Sequence, residues 1–379
     1  MNKHLRVFTS VALGEVAKVR SGFSFSSNDF RDIGTPVIRI SDIYDGRISS
    51  EGAVRTSLSI SDSDFILNRG DFAIAMSGAT TGKIGIYNGP QAFVNQRVGK
   101  FVLTDCGTIH KDYLYHFVSS KYFSNQLNEV LEQGAQPNIS SKLLETFLIN
   151  FPADLDEQKV IAKALSDIDE LIEGIVAETH KKRNILKGFQ QSLISGDYFR
   201  ENNISFEIKL IQNLPIEIKR GQLITGTTKV DGNIPVIAGG ISAAYFNNIA
   251  NRFGTTITIS ASGANAGFVN LWRSDIWASD CSTIGESELY EVLYIFYVLK
   301  EKQKELFEAQ YGGGQPHIRP KEIGEISIPW ISKANQEDLV VILEGMSKEI
   351  ELLETELAKY ECIKQGMAHD LLTGKVRLV

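Results

Sequence analysis

Gly78-Ala-Thr-Thr-Gly-Lys83 is the stretch of this 379-residue chain that comes nearest to a reactive site. A phosphate loop has the form GxxxxGK followed by Ser or Thr, so that backbone N–H groups cradle the phosphates and the hydroxyl holds Mg. Here the glycines stand one residue too close and Ile84 occupies the hydroxyl position. The stretch reads as a Gly-rich turn between strands. Asp154, Glu157 and Lys159 superficially resemble a nuclease acid–lysine cluster. Carboxylates three residues apart at a helix start are better explained as a capping box and first-turn charges that suit the helix dipole. No two of the nine prolines are adjacent, which removes the Pro-Pro-aromatic motif of adenine methyltransferases. The six histidines (His4, His110, His116, His180, His317, His369) include no HExxH and no pair at ligand spacing. Cys106, Cys281 and Cys362 lie far apart without a CxxC, which argues for a reducing cytoplasm and against a disulfide framework or a zinc site. No catalytic residue and no metal site is expected in this chain.

A chain without chemistry of its own acts through what it positions, and the positioning element is the stretch Asp154 to Asp197. Its seam runs Ile161, Leu165, Ile168, Ile172, Ile175, Thr179, Lys182, Leu186, Phe189, Leu193, in alternating steps of four and three. Such a stripe needs a partner. Adding 178 to each number gives Leu339, Leu343, Met346, Ile350, Leu353, Leu357, Tyr360, Lys364, Met367, Leu371. At the same offset Gln158 falls on Gln336, Ile185 on Ile363 and Gly196 on Gly374, the glycines standing where a left-handed cap ends a helix. Lys182 and Lys364 are read as rim residues of the seam. The chain is an internal duplication.

The segments between the helices repeat as well. Residues 1–152 and 199–331 mix short β-branched runs with Gly, Asn, Asp and Ser, as strands of a compact unit do. Ala75 to Lys83 is echoed by Ser260 to Phe268 at an offset of 185, which also sets Asn95-Gln96 on Asp280-Cys281. The turn Gly134-Ala-Gln-Pro-Asn-Ile matches Gly314-Gln-Pro-His-Ile, and the helical stretch from Tyr113 matches the one from Tyr290. The order is domain (1–152), helix (153–198), domain (199–331), helix (332–379). Pairing the seams in the equivalent way requires the helices to run antiparallel, so the second returns to the first domain. The fold class expected is α+β: two similar globular α/β domains separated by two long antiparallel coiled-coil helices, with an internal pseudo-twofold repeat.

Net charge is −7, and the acid excess sits mainly on the helices, each −3, while the domains carry +1 and −2. No segment has the basic surplus of a stand-alone nucleic-acid binder. The longest apolar run, Val292 to Leu299, is eight residues, against roughly 20 for a membrane span. No membrane partner is expected, and the protein is read as cytoplasmic.

The segments from Pro152-Ala-Asp-Leu-Asp-Glu-Gln to Gly196 and from Pro329-Trp-Ile-Ser-Lys-Ala-Asn-Gln to Gly374, with the GAQPNI and GQPHI turns ahead of them, resemble the spacer helices of the specificity (S) subunit of type I restriction-modification systems. The resemblance follows domain order over the whole chain. It implies two target-recognition domains, each reading one half of an asymmetric, split site in double-stranded DNA. It also implies helices that bundle with two modification (methyltransferase) subunits, and restriction subunits that add translocation and cleavage. S-adenosylmethionine, ATP and Mg belong on those partners, with no cofactor in this chain. Polar side chains on strand-linking loops are the expected base contacts: Arg39, Ser77, Thr80, Lys83, Asn95, Gln96 and Arg97 in the first domain, and Lys229, Ser262, Asn265 and Arg273 in the second. The alternatives are a two-headed coiled-coil scaffold that binds proteins rather than DNA, and an enzyme with a nucleotide loop at Gly78.

Overall fold

The computed structural model describes residues 8–44, 46–132, 138–224, 230–312 and 314–378. The periodic stretches are single helices, Leu155–Ser195 and Lys333–Leu372. Both starts are capped by side chains: Asp154 Oδ1 accepts from the Asp156 N–H at 2.9 Å, and Ser332 Oγ from the Asn335 N–H at 3.3 Å. The expected capping box at the first start is only half made, because Glu157 turns instead to Arg377. Both helices end before a left-handed glycine, Gly196 (φ 80°) and Gly374 (φ 75°). A Cβ at these positions would lie 2.6 Å from the Phe206 ring and 2.8 Å from the Phe8 ring, so glycine is needed for space as well as for backbone.

The chain forms two compact units, Met1–Ile175 with Glu356–Val379, and Val176–Thr355. Each unit contains one end of each long helix. In the first, Asp169 pairs with Lys364 and Glu157 with Arg377; in the second, Lys182 pairs with Glu349 while Leu193 and Leu343 share the core. Within each unit, therefore, the two helices run in opposite directions. Ile161, Leu165, Ile168, Ile175, Leu193, Leu339, Leu343, Ile350 and Leu371 are buried, and Ile172, Leu186, Phe189, Met346, Leu353, Leu357 and Met367 half-buried, so no expected seam position faces solvent. Lys182 and Lys364 each end on a carboxylate of the opposite helix, as rim residues do. Among the described residues no helix is long and apolar enough to cross a membrane.

The two units are built alike. Each opens on a strand that pairs antiparallel with the strand just before a long helix: Phe8–Ala12 with Leu148–Pro152, and Glu207–Leu210 with Ser327–Trp330. Each contains a parallel pair around the tripeptide Pro-Val-Ile, in which Val37 and Ile38 lie beside Phe93 and Val94, and Val236 and Ile237 beside Trp277 and Ala278. Each has an antiparallel hairpin at its centre, Phe72–Ala75 with Ile84–Tyr87, and Thr256–Ser260 with Val269–Trp272. The helical stretch after the sheets breaks in two, Lys111–Val118 and Lys121–Leu131 in one unit, Val292–Glu301 and Gln303–Glu308 in the other. Here the hydrogen bonds correct the expected register. The Tyr113 hydroxyl donates to the Asn150 carbonyl and the Tyr294 hydroxyl to the Pro329 carbonyl, each at 2.8 Å, so Tyr113 corresponds to Tyr294 rather than Tyr290, one helical turn on.

Long helix and head are fused through one core in each unit. Ile161, Leu165 and Leu371 pack with Phe72, Phe117 and Phe123; Leu339 and Leu343 pack with Ile257, Ile295 and Leu299. His116 belongs to the first of these contacts. Its Nε2 lies 2.8 Å from Ser166 Oγ, and Asp169, Asp112 and Lys364 are the charges around it. Burial pushes the imidazole down to about 4, against an opposing pull from Asp169. Unfolded, the ring titrates near 6.5, so between these pH values the unfolded chain binds the extra proton. The stability His116 contributes is complete above pH 6.5 and is lost as pH falls toward 4, about 3 kcal/mol in all. Thermal melts at pH 7 and pH 5 are expected to show a larger drop for the native chain than for His116→Gln; equal drops would exclude this role.

Candidate nucleic-acid interface

Gly78 to Lys83 closes the central hairpin of the first unit, and the N–H groups of its second half are spent inside the turn. Ala75 N–H donates to the Lys83 carbonyl, Gly82 N–H to Ala75, Thr81 N–H to Gly78 and Lys83 N–H to Thr80, at 2.8 to 3.1 Å. A phosphate loop leads from a strand into a helix, whereas this turn leads into the strand Ile84–Tyr87, which argues against the nucleotide reading. The second unit reproduces all four bonds at the offset of 185: Ser260 to Phe268, Gly267 to Ser260, Ala266 to Gly263 and Phe268 to Asn265. Gly78 and Gly263 share φ near 80° (77° and 79°), as do Gly82 and Gly267 (87° and 84°). The turn is one structure written twice.

Beside the first turn lies an open depression of about 550 Å³, lined in part by Ser77, Gln96, Arg97, Asn138 and Lys142. The structure thus brings together three expected contact residues, Ser77, Gln96 and Arg97. Ser77 is 8% exposed and its Oγ has no hydrogen-bond partner among the described residues. Buried hydroxyls are rarely left without a partner, and this one belongs to a residue that lines the hollow. Arg97 is exposed, with no side-chain hydrogen bond or ion pair among the described residues. Asn95 is half-buried, its Oδ1 accepting from the Arg97 N–H at 3.4 Å. Thr80 and Arg39 meet at a neighbouring place: Thr80 Oγ1 donates to the Ile40 carbonyl at 3.2 Å, and Arg39 lies 3.9 Å from Asp42. Lys83 is exposed on the turn. Asn138 and Lys142 were not singled out from the sequence. Asn138 lay in the repeated GAQPNI turn and could have been found there, whereas nothing local marked Lys142.

In the second unit Ser262 and Asn265 occupy the corresponding turn, but the chemistry has changed. Ser262 donates its hydroxyl to Asp280, and its backbone bridges His317 as that of Ser77 bridges Asn138. Arg273 does not join this face; its Nη2 is held 2.7 Å from Glu344 on the second long helix. Lys229 lies outside the described residues.

The strand register also corrects the pairing of Asn95-Gln96 with Asp280-Cys281. Val98 stands opposite Ala75 and Cys281 opposite Ser260. Met76 N–H donates to the Arg97 carbonyl and Ala261 N–H to that of Asp280; Asn95 N–H donates to Ile38 and Ser279 N–H to Ile237. Asn95 therefore corresponds to Ser279 and Arg97 to Asp280. Gln96 is one extra residue in the first head, which a constant offset cannot show.

A family model described as "Type I restriction modification DNA specificity domain" matches residues 7–181 and again 208–361. The specificity subunit of the type I restriction enzyme MjaVIII from Methanocaldococcus jannaschii is 30% identical over 208 residues, 52% of this chain and 47% of that protein. That match spans about half the length of the relative. The putative type I restriction enzyme MjaX specificity subunit of the same organism is 25% identical over 394 residues, covering 95% of this chain and 91% of its own. Among solved structures, the S subunit of a type I restriction-modification system from M. genitalium superposes with a TM-score of 0.65 at 17% identity, over 98% of both chains, which shows a shared fold. With a repeated fold, a repeated turn, and a family match that covers most of the chain in two copies, the chain belongs to the type I restriction-modification DNA specificity family.

Proposed function

We propose that this chain is the non-catalytic specificity subunit of a type I restriction-modification complex, and that its two heads each read one half of a split, asymmetric DNA site. The observation that carries the reading is the duplicated hairpin turn, identical in its four backbone bonds and different in the side chains around it. One scaffold presenting two unlike faces suits two unlike half-sites. In this reading the long helices set the separation, and half-sites read from one face of B-DNA lie about one turn, ~34 to 36 Å, or a multiple of it apart. Two methyltransferase subunits would supply S-adenosylmethionine and the phosphate contacts that the net charge of −7 denies this chain. Restriction subunits would supply ATP- and Mg-dependent cleavage. The test is to map N6-methyladenine in DNA from cells with and without the chain. One bipartite sequence methylated only in its presence is expected, and identical maps would refute the proposal.

The partner face is proposed on the outer side of the helices. Ile185 and Ile363, equivalent by the repeat, are 52% and 39% exposed. The pair gives each methyltransferase the same foothold in each unit. Ile185→Asp with Ile363→Asp is expected to reduce copurified methyltransferase at least tenfold. The melting temperature should hold, since neither side chain is in a core. Undiminished copurification would place the partners elsewhere.

A further inference from the structure

The two heads carry opposite charge at one equivalent place, and we infer that this place selects the base each head reads: Arg97 a guanine, and Asp280 a base presenting an exocyclic amine, cytosine or adenine. The inference rests on the DNA-reading role proposed above and adds to it the chemistry of one position in each half-site.

Equivalence comes from the backbone. Both residues immediately precede the strand that lies beside the hairpin, and the carbonyl of each accepts from the residue that follows the hairpin's first strand, Met76 in one head and Ala261 in the other, at 2.9 and 3.1 Å. The next residue in each case closes a second matched bond, Gly22 N–H to Val98 at 3.1 Å and Gly221 N–H to Cys281 at 2.8 Å. The chain thus delivers both side chains from the same point of the same framework.

What it delivers differs in kind. Arg97 is a donor-only fork, unpaired among the described residues, and lines the same depression as Ser77. In the major groove a guanidinium fits the two acceptors of guanine, O6 and N7. Asp280 is acceptor-only. One of its oxygens, Oδ2, takes the Ser262 hydroxyl, and Oδ1 has no partner among the described residues. No Lys, Arg or His forms an ion pair with it among those residues. Gly239 gives room to the backbone of Ser262, since a Cβ there would lie 2.7 Å from the Ser262 carbonyl. A bare carboxylate facing a duplex is repelled by phosphates unless an N–H donor meets it, and cytosine N4 and adenine N6 are the donors the groove displays. Ser262 fixes one oxygen and so aims the other.

The experiment uses the full chain co-expressed with its methyltransferase subunits, in cells free of other N6-methyladenine. Asp280→Asn keeps an oxygen for Ser262 and removes the charge. It is expected to weaken base discrimination about 10- to 100-fold at one position of one half-site. The other half should be untouched. Arg97→Gln should do the same at a guanine in the opposite half, and Ser262→Ala should give a smaller change at the position affected by Asp280→Asn. Unaltered base preference in all three variants, or an even loss across every site, overturns the inference, because the two residues would then be structural or phosphate-facing. If the wild-type complex methylates no split sequence, the DNA-reading role itself fails, and that outcome is distinct from both.

Discussion

Gln158→Leu is expected to destabilise the first unit by about 3 kcal/mol, and Gln336→Leu the second by about 2 kcal/mol, each leaving the other unit's transition in place. Both glutamines are 0% exposed at the start of a long helix. Gln158 accepts from the His110 N–H at 2.7 Å and donates to the Thr108 and Pro152 carbonyls at 3.1 and 2.8 Å. Gln336 accepts from the Glu291 N–H at 2.8 Å and donates to the Ile331 carbonyl at 3.0 Å. In each unit one amide thus ties the long helix to the residue that opens the adjacent short helix and to the strand end behind it. Leucine fills the space but abandons an N–H and one or two carbonyls with no water to replace the lost partner, at about 1 to 3 kcal/mol for each unsatisfied group. The units can be followed separately, because Trp272, Trp277 and Trp330 all lie in the second. Tryptophan fluorescence should shift with Gln336→Leu and stay unmoved by Gln158→Leu, while circular dichroism sees both. A single merged transition shifted equally by either variant would show that the amides do not act within their own units.

These glutamines were visible in the sequence as a matched pair in the repeat, and their job was not. A repeat reports that two positions share an environment; it does not say whether that environment is a core, a seam or a hydrogen-bond clamp. The seam itself was fully legible, since a stripe such as Ile161, Leu165, Ile168 has one physical meaning and helix geometry leaves its partner little freedom. The turn at Gly78 was legible for the same reason, because Gly78 and Gly82 hold left-handed backbone that only a few turns require. Register between the heads was less so. The offset of 185 holds through the hairpin and then fails at Gln96, because one extra residue on a loop costs the fold almost nothing and leaves no mark in the pattern. Site residues were the least legible. Arg273 looked like Arg97 as a basic side chain on a loop, and only its long-range partner Glu344 separates them. Glu157 looked like a helix cap and is the anchor of the chain's last residues.

That anchor gives the largest single effect expected. Glu157, with its side chain 1% exposed, receives both Nε and Nη2 of Arg377, at 2.5 and 2.6 Å, across 220 residues of sequence. Arg377→Ala is expected to cost the first unit about 3 to 5 kcal/mol, because it strands a buried carboxylate with no cation. The cation–π contact to Phe8, 5.0 Å from the ring centroid, is lost with it. Replacing both residues by leucine should restore most of that stability, since two desolvated charges disappear together. The second unit supplies an internal control. Arg200 lies over Phe206 at 5.5 Å as Arg377 lies over Phe8, but its carboxylate partner, Asp197, has a side chain 60% exposed. Arg200→Ala should therefore cost under about 1 kcal/mol. Comparable losses for Arg200→Ala and Arg377→Ala would mean that the ring contact, and not the buried ion pair, holds the end of each long helix to the strand it meets. A large loss for Arg377→Ala that the double leucine variant rescues means that burial of Glu157 is what makes the second helix's return to the first head so dependent on one arginine.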